Sequence, residues 1–138
     1  MRIARAGFVY FVCVFAVGFV LGSVRVPLLV PRLGERFAEL VELPVMVLAS
    51  AVLARWRQRR TADLTLREHR LVGAVALALL LTAECGLGAL LGRTPWQVLF
   101  ERDPVAGPAY YLALAAFAVW PWFWASCAER RRRIGPPV

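Results

Sequence analysis

The chain has 138 residues, of which 60% are hydrophobic and 19% charged, with seventeen arginines, no lysine and nine acids. Soluble chains of this size are about 45–50% apolar and about 25% charged, so a mean hydropathy of +0.62 disfavours an aqueous globule, a disordered segment and a disulfide scaffold. A pI near 10.9 raises nucleic acid as a partner, but basic residues also flank membrane spans, and their positions decide between the two.

Four apolar stretches alternate with short charged ones, at Ala6 to Val24, Phe37 to Ala54, Leu71 to Leu91 and Pro108 to Cys127. Each is near the ~20 residues that a helix needs to cross a ~30 Å hydrocarbon core. None shows the alternation of a membrane β-strand, and in lipid only a helix satisfies its own backbone. The expected fold is therefore all-α, a four-transmembrane-helix bundle forming a single integral membrane domain over residues 1–138, with the lipid bilayer as partner and no nucleic acid. Arg2 and Arg5 before the first stretch, with Gly22 and Ser23 at its end, also allow a signal peptide; no clear A-x-A site follows, and cleavage would leave three spans.

Cap signals fall between the spans. Thr65 with Glu68 has the spacing of a capping box at the start of the third helix, and Thr94-Pro95-Trp96-Gln97 repeats it with proline at the first helical position. The second box opens Trp96 to Arg102, too short to cross and amphipathic enough to lie along the interface.

Twelve arginines lie in the N-terminal tail, the loop after the second span and the C-terminal tail; five (Arg25, Arg32, Arg36, Arg93 and Arg102) lie on the other side. The positive-inside rule then places both termini and the middle loop in the cytoplasm of a bacterial inner membrane.

The informative residues are the carboxylates in the spans. At a rise of ~1.5 Å per residue, Glu84 lies ~21 Å from the inner boundary at Arg70 and Glu42 ~20 Å from that at Arg55. The two share one depth in the outer half. A bare carboxylate there costs at least ~2.5 kcal/mol, so each is expected to face the bundle and to be partnered or protonated. Arg25, at the end of the first span, can reach back to them, and Arg36 is spaced to meet Glu39 at i+3. Glu35, Glu39 and Glu42 share one helical face with Met46 and Ala49, and Gly18, Gly22 and Arg25 share another. Gly88 and Gly92 repeat the small-residue spacing beyond Glu84, so a glycine-lined contact between the first three helices is expected to hold the charges. Pro44 leaves the carbonyl of Leu40 without its helical donor. Of the two tyrosines that begin the fourth span, Tyr110 is the expected inward one. Arg25, Glu39, Glu42, Glu84 and Tyr110 are thus the candidate ligand-binding residues.

Structural readings of the same residues stand beside this one. Buried Arg and Glu can simply fix helix register, and Tyr110, Tyr111, Trp120, Trp122 and Trp124 fit ordinary interfacial belts. The three cysteines, Cys13, Cys85 and Cys127, read as small apolar fillers. His69 is the only histidine, and no H-x-x-H, C-x-x-C, G-x-S-x-G, P-loop or dinucleotide pattern appears. No metal and no cofactor is expected.

The stretch from Gly18 to Met46, GFVLGSVRVPLLVPRLGERFAELVELPVM, resembles a block that recurs in short four-helix inner-membrane proteins of GC-rich bacteria. The resemblance covers about a fifth of the chain and implies a multi-pass fold but no activity. Small multidrug transporters are similar in size and helix count, but their essential glutamate lies in the first helix, where this chain has none. The functional expectation is a membrane protein whose outer-half cluster binds or transports a small polar or charged solute or protons, as a homo-oligomer or in a larger complex. The alternatives are an accessory subunit with no site of its own, and a small enzyme acting on a lipid or quinone.

Overall fold

A computed structural model of the chain describes residues 1–101 and 103–135. Arg102, expected at the end of the interfacial segment, lies outside the described residues. The described residues are helical with no strand: α1 (Arg2–Val24), a π-helical turn (Arg25–Leu29), α2 (Val30–Arg60), α3 (Leu66–Leu90), α4 (Pro95–Leu99) and α5 (Ala106–Ile134). Three helical stretches are long and apolar enough to cross a membrane, Arg2–Arg60, Leu66–Leu90 and Ala106–Ile134.

The first of these stretches corrects the expectation of a loop between Val24 and Phe37. Pro27 and Pro31 supply no N–H to the turns before them, and the backbone widens into a π-turn, in which Val30 N–H bonds to the carbonyl of Arg25, rather than ending. The break comes at Gly34, where φ is 79° and ψ 162°, a conformation that costs glycine little and other residues much. There the chain doubles back, so that Gly18 of α1 faces Met46 of α2 and the Tyr10 hydroxyl reaches the Ser50 carbonyl.

α1 packs on α2 and α3, and α5 packs on the same two helices, closing a ring. Its interior is built largely from alanine, with Ala6, Ala38, Ala54, Ala76, Ala106 and Ala125 buried. Close approach replaces bulk, as is usual where lipid offers no hydrophobic drive between helices. A Cβ on Gly73 would lie 2.0 Å from the Ala118 carbonyl oxygen, and one on Gly7 2.9 Å from the Val75 side chain. Phe8, Phe19, Val20, Leu48, Val52 and Leu112 are all more than half exposed, a surface suited to acyl chains.

Both capping boxes form. Thr65 N–H donates to Glu68 at 2.7 Å, and Thr94 N–H donates to Gln97 at 2.9 Å. Gly92 ends α3 with φ 75°, while Arg93 N–H returns to the Gly88 carbonyl at 2.9 Å and Gly92 N–H to that of Ala89 at 3.0 Å. This is a Schellman cap. The Gly88 and Gly92 pair is therefore no contact face for α1 and α2: Gly92 stops the helix, and Gly88 receives Val98 of α4.

The centre of the ring is Tyr10, 1% exposed and stacked on Phe117 with ring centroids 4.7 Å apart. Its hydroxyl donates to the Phe117 carbonyl at 3.1 Å and lies 3.3 Å from that of Ser50. Phe117 precedes Pro121 by four residues, so its carbonyl has no donor within α5, and Tyr10 supplies the missing proton. Tyr10→Phe should then cost about 1–3 kcal/mol, the penalty for an unmet buried acceptor. In a Pro121→Ala background, where residue 121 regains an N–H, the same substitution should cost about 1 kcal/mol less. Thermal unfolding of the four proteins in detergent measures this, and strictly additive losses would show that the carbonyl does not depend on Tyr10.

Candidate functional site

Above Tyr10, toward the Arg-poor end, the ring opens into a cavity of about 670 Å³, well within the range of small-molecule sites. Its lower part is apolar, with Val14, Met46, Leu80 and Phe117 on the walls beside Ser50. Higher up it is lined by Gly22, Arg25, Glu39, Glu42, Glu84 and Tyr110. All five candidate residues, drawn from α1 through its π-turn, α2, α3 and α5, therefore meet in one space.

Local structure explains each position. Arg25 lies in the π-turn and reaches back along α1, setting its Nε 3.0 Å from Glu42 Oε2. That N–H is buried and not aimed at the carboxylate, so the contact is one of charge rather than a directed hydrogen bond. The pair keeps partial access, with side chains 26% and 16% exposed. Glu39 stands one turn before Glu42 on the same wall. Across the cavity, the Tyr110 hydroxyl donates to the Glu84 carboxylate. Tyr110 is buried, whereas Tyr111 is 42% exposed and donates instead to the Leu99 carbonyl at the end of α4.

Other placements depart from expectation. Glu35 is exposed and absent from the cavity lining. Arg36 turns to Asp103, with Nη2 2.6 Å and Nε 2.8 Å from Oδ2, because Gly34 swings the start of the returning helix toward the segment before α5. On the glycine face of α1, Gly18 contacts Met46, but Gly22 has nothing within 4 Å and faces the cavity. Ser50, rather than Ala49, continues the polar face of α2 downward.

His69 is buried in the first turn of α3, beside the connection from α2, with Nδ1 3.0 Å from the Thr65 carbonyl. It serves that turn. Cys13, Cys85 and Cys127 are free thiols in partly buried positions. Among the described residues no three His, Cys, Asp or Glu side chains are grouped as a metal ion requires. The cavity can therefore offer carboxylates, a guanidinium and a phenol for charge pairing, hydrogen bonding and proton exchange. Of its polar contacts, the Ser50 floor is not expected from the sequence, although a tyrosine one turn inside an apolar span is a readable sign of a buried polar link.

No protein-family model, curated protein or solved structure matches the chain.

The segment before α5 holds the Arg-poor end together. Asp103 accepts from Val105 N–H at 2.9 Å and Ala106 N–H at 3.1 Å, and pairs with Arg36 near the Gly34 reversal. The Val105 hydrogen bond foremost, then the Arg36 guanidinium, hold its carboxyl below the usual aspartate range. A lowered value favours the folded state where the carboxylate is charged, so this support is complete well above the ordinary value of 3.8 and is lost as pH falls below that value and through the lowered one. Asp103→Asn should melt below the parent at neutral pH, and the gap should start to close below pH ~5 and go on narrowing as pH falls past the ordinary aspartate value. A gap independent of pH would show that the charge does not matter.

Proposed function

We propose that the chain is an inner-membrane protein crossing the bilayer four times, with both termini on the Arg-rich cytoplasmic side, and that its cavity binds or conducts a small polar or charged solute or protons. The crossing count rests on the reversal at Gly34, which folds Arg2–Arg60 back so that Tyr10 sits beside Ser50 and Gly18 beside Met46. The orientation rests on the arginine distribution. Alkaline phosphatase fused after Arg102 should be active in the periplasm and fused after Ala62 silent, and the reverse pattern would overturn the topology.

The observation that carries the functional reading is the convergence of Arg25, Glu39, Glu42, Glu84 and Tyr110 on one cavity. Ionisable side chains inside membrane segments are costly, and they are commonly kept for ion, proton or substrate handling. A packed register device would close over its charges, but here the Arg25 and Glu42 pair borders open volume. Tyr110 and Glu84 on one side, and Glu39 and Glu42 on the other, give two groups able to pass a proton or to hold a polar guest between them.

The test uses proteoliposomes with a trapped pH dye. Glu42→Gln and Glu84→Gln should each lower proton flux at least tenfold, since each removes a titrating group from the route. Gly22→Leu keeps every charge and adds bulk only to the cavity, where a new Cβ meets nothing, and helix propensity favours it. It should block flux or, for a solute site, abolish the thermal shift that a panel of small organic ions gives the parent. If all three folded variants match the parent in flux and in ion-induced shift, the cluster serves structure only.

A further inference from the structure

At the opposite end of the molecule, where α1 begins and α2 ends, lies a second cleft of about 280 Å³ lined by Arg2, Arg5, Arg57, Arg60, Thr61 and Asp63. Four arginines and one aspartate line it, and that carboxylate is engaged by Arg2 at 3.1 Å. Three of the cleft's positive charges are thus left over. Arg60 is braced over the Trp56 ring at 4.7 Å. The Nε of Arg57 is buried and has no hydrogen-bond acceptor among the described residues. A buried donor without an acceptor is disfavoured, and three like charges held together repel one another. An anion with several acceptor oxygens relieves that repulsion.

We infer that this cleft is a binding site for a phosphate group. Arginine forks match the tetrahedral oxygens of phosphate with paired hydrogen bonds, and all four cations here are arginines. The cleft lies at the ends of two helices just beyond their apolar stretches, the level at which headgroup phosphates of the adjoining leaflet lie. The phosphate can therefore come from an anionic phospholipid or from free inorganic phosphate. The inference is independent of the cavity at the other end.

The full chain, purified in mild detergent with phosphatidylglycerol and phosphatidylcholine, should retain phosphatidylglycerol preferentially by native mass spectrometry. Arg57→Gln and Arg5→Gln should each weaken that retention about fivefold, the factor that ~1 kcal/mol per basic residue corresponds to. Arg131→Gln in the C-terminal tail removes the same charge and should change it less than twofold. Asp63→Asn should strengthen retention, a gain that misfolding cannot imitate. Displacement of the lipid by millimolar inorganic phosphate would assign the site to phosphate from either source, and resistance to it would assign the site to the lipid. No preference for phosphatidylglycerol, or equal losses in the cleft and tail variants, would overturn the inference.

Discussion

The arrangement depends on one carbonyl that its own helix cannot satisfy. Pro121 deprives the Phe117 carbonyl of its donor in the middle of α5, where lipid offers no water to replace it. Tyr10 brings a hydroxyl across the ring to that point and lays its aromatic face on Phe117. Because the same hydroxyl also approaches the Ser50 carbonyl, α1, α2 and α5 are fixed at one level. Trp124 adds a second tie between α5 and α2, its Nε1 donating to the Ala51 carbonyl at 2.9 Å. These side-chain to backbone bonds give a ring made mostly of alanine and glycine a definite register, which close packing alone would leave free to slide.

That level also separates two regimes. Below it, small residues permit contact so close that a single Cβ on Gly73 would strike backbone. Above it, glycines divide: Gly18 and Gly88 still meet side chains, whereas Gly22 and Gly86 have open space where a Cβ would stand. The helices diverge above a tight waist, and polar side chains border the volume that results. Divergence is sustained at the far end by the Gly34 reversal, by Val98 of α4 seated against Gly88, and by the Arg36 and Asp103 pair, which links the reversal to the start of α5. The cavity thus follows from where the chain is pinned, at its waist and at its rim.

The helical class, both capping boxes and the Arg25 and Glu42 contact were legible in the sequence. Each depends on a local pattern or on depth, and depth along a helix is a matter of counting. What failed were inferences from residue spacing without the neighbouring element. Gly88 and Gly92 have the spacing of a helix contact, but one receives a side chain from α4 and the other adopts a positive φ that ends α3. Arg36 has the spacing to meet Glu39, but a partner from the segment before α5 is nearer. The limits of the apolar stretches leave Val24 to Phe37 as a connection, whereas a π-turn absorbs Pro27 and the helical path continues to Gly34. The Tyr10 link had a readable half, the proline four residues after Phe117. Which side chain would meet that carbonyl required the fold.

The arginines behave differently at the two ends, and the cause is the supply of partners. At the Arg-poor end, Arg25 and Arg36 each find a carboxylate from another segment. At the Arg-rich end acids are scarce, and aromatic faces take their place: Arg55 lies over Trp124 at 4.9 Å and Arg70 over Trp122 at 5.0 Å. A ring face attracts a cation without neutralising it, so these arginines keep their charge while their stems cover apolar surface. The Arg-rich end is therefore braced by tryptophan, and the Arg-poor end by glutamate and aspartate. Exchanging the two kinds of partner would neutralise arginines at one end and leave Arg25 and Arg36 beside weaker acceptors at the other.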